Sequence, residues 1–406
     1  MSKTPLDKQS RLLLFINGLF VLAGALSGTF LNVFLWKSKQ DFAMIGWFTI
    51  SQQIGLVLTF WLAGKWVKEH NKMNALRLGI LLSGVFYLLV LGLDQHAVSY
   101  IWPLGLLLGA SLGLFWLAFN VVYFEVTDRD NRDLFNGWVG LIGSFVGIVG
   151  PWISGMIISM SVANQGYQYI FMISMLVFGI GVVFSFFLKK RKTEGTYSWN
   201  EPVKQLSERG NPWRWAGPAL AAQGIREGVF SFLVNLLVYI ATTQEAKLGQ
   251  FYLITSFVAL VSYHVIGKWY KPAYRYYGTL VGAALLFIFT LPLLWTVNYG
   301  TLLLQGVGSA IFMPLYILPM ISSVFDLMGT SGENVSKRVE LVVLREICLT
   351  IGRVVGIVMF IIVLEINQST QTITWLMIIL GLSPVLSWFM IRRLLQAQPV
   401  NNSPAK

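Results

Sequence analysis

"AGKWVKEHNKMNALRLG" (63–79) returns 203 residues later as "IGKWYKPAYRYYGTLVG" (266–282). Gly64/Gly267, Lys65/Lys268, Trp66/Trp269, Lys68/Lys271, Lys72/Arg275 and Gly79/Gly282 align without a gap. The same displacement brings Asn32 onto Asn235, Ala43 onto Ala246, Gly46 onto Gly249 and Phe48 onto Phe251. A lone "GKW" can recur by chance. A shared register of this extent, in the same loop of each half, marks two parallel internal repeats.

The sequence around the repeat belongs to a bilayer. Of 406 residues, 55% are hydrophobic and only 12% charged, too little charge to cover a soluble protein of this size. A hydrocarbon core needs roughly 20 apolar residues per helix. That template predicts twelve spans: 12–36, 42–63, 74–94, 98–124, 134–159, 167–188, 214–241, 247–266, 276–296, 299–325, 339–364 and 372–392. The expected fold is therefore all-α, an integral membrane protein of twelve transmembrane helices arranged as a 6+6 parallel repeat. Residues 189–213, opening on four consecutive basic residues, form the longest polar segment. They divide the chain into a six-helix bundle (1–188), a linker (189–213), a second bundle (214–394) and a tail (395–406). Within the linker, "WNEPVKQLSERG" can form a short helix on the membrane surface.

A net charge of +12 would suit nucleic acid, but its placement argues otherwise. Of 30 Lys and Arg, about 24 fall in the termini, the linker and alternate loops; Lys37, Lys39 and Lys247 lie in the other loops. This is the positive-inside pattern, which puts both termini in the cytoplasm. No nucleic-acid partner is expected. The single cysteine, Cys348, has no internal disulfide partner, and no metal-ligand spacing surrounds it. The first span is too long for a signal peptide. His70, His96 and His264 lie at or near span ends, and no G-x-S-x-G, H-E-x-x-H or phosphate-cradling G-x-x-x-x-G-K-[ST] occurs. Neither an enzyme, a metal nor a cofactor is expected.

Two six-helix halves, cytoplasmic termini, a basic linker and a glycine-basic motif between spans two and three resemble the major facilitator superfamily. The resemblance covers essentially the whole chain. The family signature there has the form G-x-x-x-D-R-x-G-R-[KR]; this chain keeps Gly64, Lys68 and Lys72 but places Lys68 where the acidic residue belongs, with Glu69 following. In span five, "GIVGPWISG" (147–155) is similar to the glycine-proline motif of family antiporters: Gly150-Pro151 fits, Gly147 falls one place late, and Ser154 precedes Gly155. That resemblance leans towards efflux or antiport. The same residues equally suit close helix packing. In the loop after span four, Glu125, Asp128 and Arg132 occupy the family's acidic/basic cluster, where pairing with Lys65 or Lys68 would latch the halves. The second copy supplies Gly267, Lys268, Lys271 and Arg275.

The resemblance implies that the first and fourth spans of each half line a central cavity. Span seven carries the clearest polar stripe, Gln223, Glu227, Ser231 and Asn235, every four residues, with Arg226 beside it. Span four places Trp116, Asn120 and Tyr123 on one face, span ten Gln305, Ser309 and Tyr316, and span one Asn17 and Asn32. Such residues serve equally as helix-packing glue.

Five charges lie deep in the apolar spans: Arg226 and Glu227 in span seven, Arg345, Glu346 and Arg353 in span eleven. Each costs roughly 2.5–3.5 kcal/mol at mid-helix on insertion scales. Glu346 and Arg353 share a face about 10.5 Å apart, so a direct bond between them is not expected. The economical arrangement pairs a carboxylate of one span with an arginine of the other, leaving one surplus positive charge that can receive an anion. Glu227 and Glu346 are the proton-carrier candidates; a fixed ion-pair staple is the alternative. The expected function is proton-coupled efflux or antiport of a small amphipathic or anionic solute by alternating access, in the plasma membrane, as a monomer. The alternatives are flipping of an anionic lipid or glycolipid, and a non-transporting sensor or scaffold.

Overall fold

Helix boundaries follow from local chemistry at the span ends. Asp7 caps the first helix by accepting from the Ser10 amide (2.7 Å), and Asp41 caps the second by accepting from Met44 (3.1 Å). Between them Gln40 takes a left-handed conformation (φ 52°) that turns the chain back. The computed structural model describes residues 6–127, 131–162, 164–190, 195–269, 274–329 and 337–397. Among these, the first half comprises α1 (Lys8–Lys39), α2 (Phe42–Glu69), α3 (Lys72–Leu93), α4 (Ile101–Val126), α5 (Arg132–Met160) and α6 (Gln165–Ser185). A linker helix α7 (Glu201–Ser207) leads to α8 (Trp213–Thr242), α9 (Glu245–Trp269), α10 (Arg275–Ile288), α11 (Tyr299–Gly329), α12 (Arg338–Ile366), α13 (Thr370–Gly381) and α14 (Ser383–Ala397).

The chain is thus an all-α membrane protein of twelve crossings in a 6+6 arrangement. Two crossings depart from uniform spans. Span twelve breaks into α13 and α14 beside Pro384, which lacks the amide needed to continue the ladder. Span nine ends its α-helix at Ile288 and finishes as a 3-10 turn over Leu291–Leu294, containing Pro292.

Small residues set the packing. Gly105, Gly109 and Gly113 recur every four residues on α4, and a Cβ at any of them would collide with α2; at Gly105 it would meet the Phe48 carbonyl at 2.7 Å. In the second half α8 and α12 approach through glycines on both sides. A Cβ at Gly228 would lie 2.8 Å from the Arg353 Cα, and one at Gly224 3.0 Å from the Arg353 amide. Close approach replaces the hydrophobic effect as the organising force between helices in lipid. Across the halves α5 packs on α9 and α2 on α12.

The linker helix does not lie on lipid as the sequence suggests. Glu201, Pro202 and Gln205 are buried, because α7 docks against α8 and α12. Glu201 accepts from Gln205 Nε2 (2.7 Å) and pairs with Lys337 (3.0 Å). Burial acts to raise the Glu201 carboxyl, but the hydrogen bonds from Gln205 and Lys337 and the charges of Lys337 and Lys204 outweigh it. They hold it below the ordinary carboxylate range.

Candidate functional site

A cavity of about 690 Å³ lies between the halves, within the range of small-molecule sites. The first half contributes Asn32, Thr49, Gln52 and Gln53; the second contributes Arg226, Glu227, Ser231, Asn235, Tyr252, Thr255, Gln305, Ser309 and Arg353. Phe230, Phe232, Val234, Phe251 and Met313 supply an apolar wall. The repeat is visible in this lining: the 203-residue displacement relates Asn32 to Asn235, Thr49 to Tyr252 and Gln52 to Thr255. It relates Arg226 and Glu227 to Ala23 and Gly24, so the charge is confined to one half.

The charged residues form a chain. Gln223 Nε2 donates to Glu227 Oε1 (2.7 Å), and Arg353 Nη2 donates to Glu227 Oε2 (3.3 Å). Arg353 Nη1 donates to Glu346 Oε1 (2.7 Å), and Arg345 Nη1 stands 4.0 Å from Glu346 Oε2. The Glu346–Arg353 bond corrects the sequence expectation. Helical side chains tilt towards the N-terminus, so the long Arg353 side chain reaches back along α12 and closes two turns. Arg226 stands apart from this chain. Its Nη2 donates to Ser309 Oγ (3.0 Å), and its guanidinium lies 4.3 Å from the centroid of the Phe230 ring.

Other predicted residues go elsewhere. Tyr316 is buried in a separate cluster with Ala219, Leu286 and Met320. Arg345 faces the Phe325 ring at 5.7 Å. Asn17 is buried in the first half, and Asn120 is half-buried. Trp116 packs edge-on to Phe20, and the Tyr123 hydroxyl accepts from Asn136 (2.9 Å). None of these, nor Gln223 or Glu346, is part of the cavity wall. Conversely, Thr49, Gln52 and Gln53 on α2 and Tyr252 and Thr255 on α9 line it, although the sequence points to the first and fourth spans of each half and to span eleven. The adjacent glutamines in an apolar span and the repeat register are the sequence signals for them.

Contacts between the halves stand at both ends of the cavity. At the terminus-bearing end, Lys68 pairs with Glu340 at 2.6 Å, with 5% and 0% of these residues exposed. The Ser198 amide also donates to Glu340, and that of Tyr197 to Glu69. Gly64 leaves room for the Tyr197 ring, at 2.9 Å from where a Cβ would sit. Glu125 pairs not with Lys65 or Lys68 but with Lys72, at the start of α3, inside one half. Its counterpart is Arg275–Asp326 (2.9 Å). Lys65 stands 4.0 Å from Glu69, and Gly267 and Lys268 are exposed. Asp128, Lys271 and the Arg132 side chain lie outside the described residues. At the far end Glu245 accepts from Lys37 (3.0 Å) and Tyr167 (2.8 Å). The span-five glycines act at this seam and beside it: Gly155 abuts the Glu245 carbonyl (2.7 Å) and Gly147 faces Ser256, while Gly150 seats α5 on Ala25 of α1. Pro151 lies inside α5 and is buried, its carbonyl 3.0 Å from a Cβ built at Gly249.

A polar cavity between two six-helix repeats, with contacts between the repeats at each end, is the architecture of a membrane transporter. The Major Facilitator Superfamily model matches residues 13–332, and the chain belongs to that family. It is 36% identical to the Bacillus subtilis (strain 168) protein YqgE over 380 residues, 94% of this chain and 88% of that one. A Geobacillus stearothermophilus protein encoded in the sodM 3' region is 40% identical over 161 residues, covering 40% of this chain and 75% of its own. The fold is similar to that of a bacterial homologue of the iron transporter ferroportin in its outward-facing state, with TM-score 0.68 and 14% identity. That match covers 96% of this chain and 99% of the other. The same homologue with soaked iron gives a TM-score of 0.66.

Proposed function

We propose that the protein is a proton-coupled secondary transporter that exchanges a small amphipathic solute for protons across the plasma membrane, with both termini in the cytoplasm. The observation that carries this reading is the Glu227–Arg353–Glu346 chain, whose first carboxylate lies in the cavity wall. A proton arriving on Glu227 removes one of the two charges that hold Arg353, and Glu346 then retains the guanidinium alone. Solute in the cavity and proton on Glu227 therefore sense the same charge balance, which is what coupling requires. Glu346 lies about 10.5 Å from Arg353 along the helix, on the side of the terminus-bearing end, so the chain runs from the cavity in the direction of the face proposed as cytoplasmic. The antiport direction rests on the Gly150-Pro151 resemblance and on the place of Gly147 and Gly155 at the seam between α5 and α9. The cargo of the ferroportin homologue is not proposed for this chain: the cavity wall carries two arginines against one carboxylate, a net positive charge that repels a metal cation.

The test uses purified protein in liposomes with an imposed proton gradient and labelled amphipathic solutes. Glu227→Gln and Glu346→Gln should each abolish gradient-driven accumulation while sparing binding or gradient-independent exchange. Accumulation that is unchanged in both variants would remove the carboxylates from the mechanism.

A further inference from the structure

The two cavity arginines are not equivalent. Both terminal nitrogens of Arg353 are engaged by carboxylates, Nη1 by Glu346 and Nη2 by Glu227. Arg226 is 5% exposed and forms no ion pair among the described residues, and its buried Nε has no hydrogen-bond partner there. Its one protein bond goes to a neutral hydroxyl, Ser309 Oγ, which also accepts from Gln305 Nε2 (3.0 Å). Ser309 Oγ therefore accepts twice, and its own proton is donated to no protein acceptor among the described residues. A buried guanidinium with no carboxylate bonded to it is costly, and the neighbouring Glu227 is already held by Gln223 and Arg353. The positive charge of Arg226, the N–H groups that no protein acceptor takes and the Ser309 hydroxyl all belong to residues of the cavity wall.

We infer that Arg226 and Ser309 form the receptor for the head group of an amphipathic anion, a single carboxylate or phosphate carried on an apolar body. This deepens the transport reading and rests on it for the route the ligand takes, not for its binding. The head would complete the hydrogen bonding of Arg226, for which a planar guanidinium is suited. The body would lie against Phe230, Phe251 and Met313, which line the same cavity. A neutral analogue leaves the arginine uncompensated and should be rejected. The division of labour follows: Arg226 meets the ligand, whereas Arg353 is already neutralised and holds the proton-carrier candidates.

The test measures ligand-induced shifts in thermal unfolding of the purified full-length protein in neutral detergent, without any gradient. The probes are octanoate, its neutral analogue octanamide, and a lysophosphatidate. Octanoate should stabilise the wild type and octanamide should not. Arg226→Gln should weaken octanoate binding about tenfold or more, and Arg226→Lys and Ser309→Ala less. Octanoate binding that depends on Arg226 identifies a soluble acid; lysophosphatidate binding alone, with the same dependence, identifies a lipid head group. Equal binding of octanamide, anion binding unchanged in Arg226→Gln, or binding of neither anion overturns the proposal. Because no gradient is present, these outcomes are independent of whether Glu227 and Glu346 carry protons.

Discussion

Lys68 and Glu340 show what a single ion pair does in this molecule. Both are buried, they belong to different halves, and they meet at 2.6 Å at the terminus-bearing end. Removing one member of such a pair leaves a buried charge uncompensated, which costs about 3–5 kcal/mol. Lys68→Met should therefore lower the thermal-unfolding midpoint and raise thiol labelling at cysteines introduced beside α7. The double variant Lys68→Met/Glu340→Gln should recover much of both losses, since no lone charge then remains. Single variants indistinguishable from wild type would show that the pair does not hold this end together. The sequence makes one partner legible and hides the other. Lys68 stands out as a basic residue at an acidic position of the family signature, whereas Glu340 lies in the first turn of α12, where a glutamate reads as an ordinary dipole partner. The Glu346–Arg353 bond is hidden for another reason: Cα spacing sets the distance between positions, and side-chain reach decides contact.

The functional geometry depends at the scale of helices on how closely α8 approaches α12. Gly228 lies against the Arg353 backbone, so the same close contact that joins the helices sets the Glu227–Arg353 distance. Gly228→Val should force the helices apart, cost about 1–3 kcal/mol through overpacking and uncouple proton movement in liposomes. Gly179→Ala on α6 is the control. A Cβ there meets nothing within 4 Å, so stability should stay level or rise by up to about 1 kcal/mol. Equal effects at the two sites would separate helix spacing from coupling. Hydropathy makes the twelve crossings legible because each must satisfy its backbone in lipid. Which faces point inwards is less legible. A polar stripe identifies α8, but α2 and α9 reveal their cavity residues through the adjacent Gln52 and Gln53 and the repeat register of Thr49/Tyr252 and Gln52/Thr255.

Taken whole, the molecule holds its central cavity between two clamps of similar chemistry and different location. Lys68–Glu340 joins α2 to α12 at the terminus-bearing end, and Lys37–Glu245 joins α1 to α9 at the far end. Rocking of one half against the other must open one clamp at a time to expose the cavity alternately. The repeat makes the two halves legible from sequence. The clamps are not, because each joins residues that the 203-residue displacement does not relate. Their roles can be separated chemically. Cys348 is buried, and Cys348→Ser gives a background free of native thiol. In that background, Lys68→Cys/Glu340→Cys and Lys37→Cys/Glu245→Cys can each be bridged by a short bifunctional thiol reagent. Either bridge should stop transport, and a reducible reagent should allow it to resume when the bridge is cut. The two locked proteins should then differ in access, since a membrane-impermeant label applied from one side can reach the cavity only when the clamp on that side is free. A bridged protein that still turns over at the wild-type rate would show that the halves do not rock about these contacts.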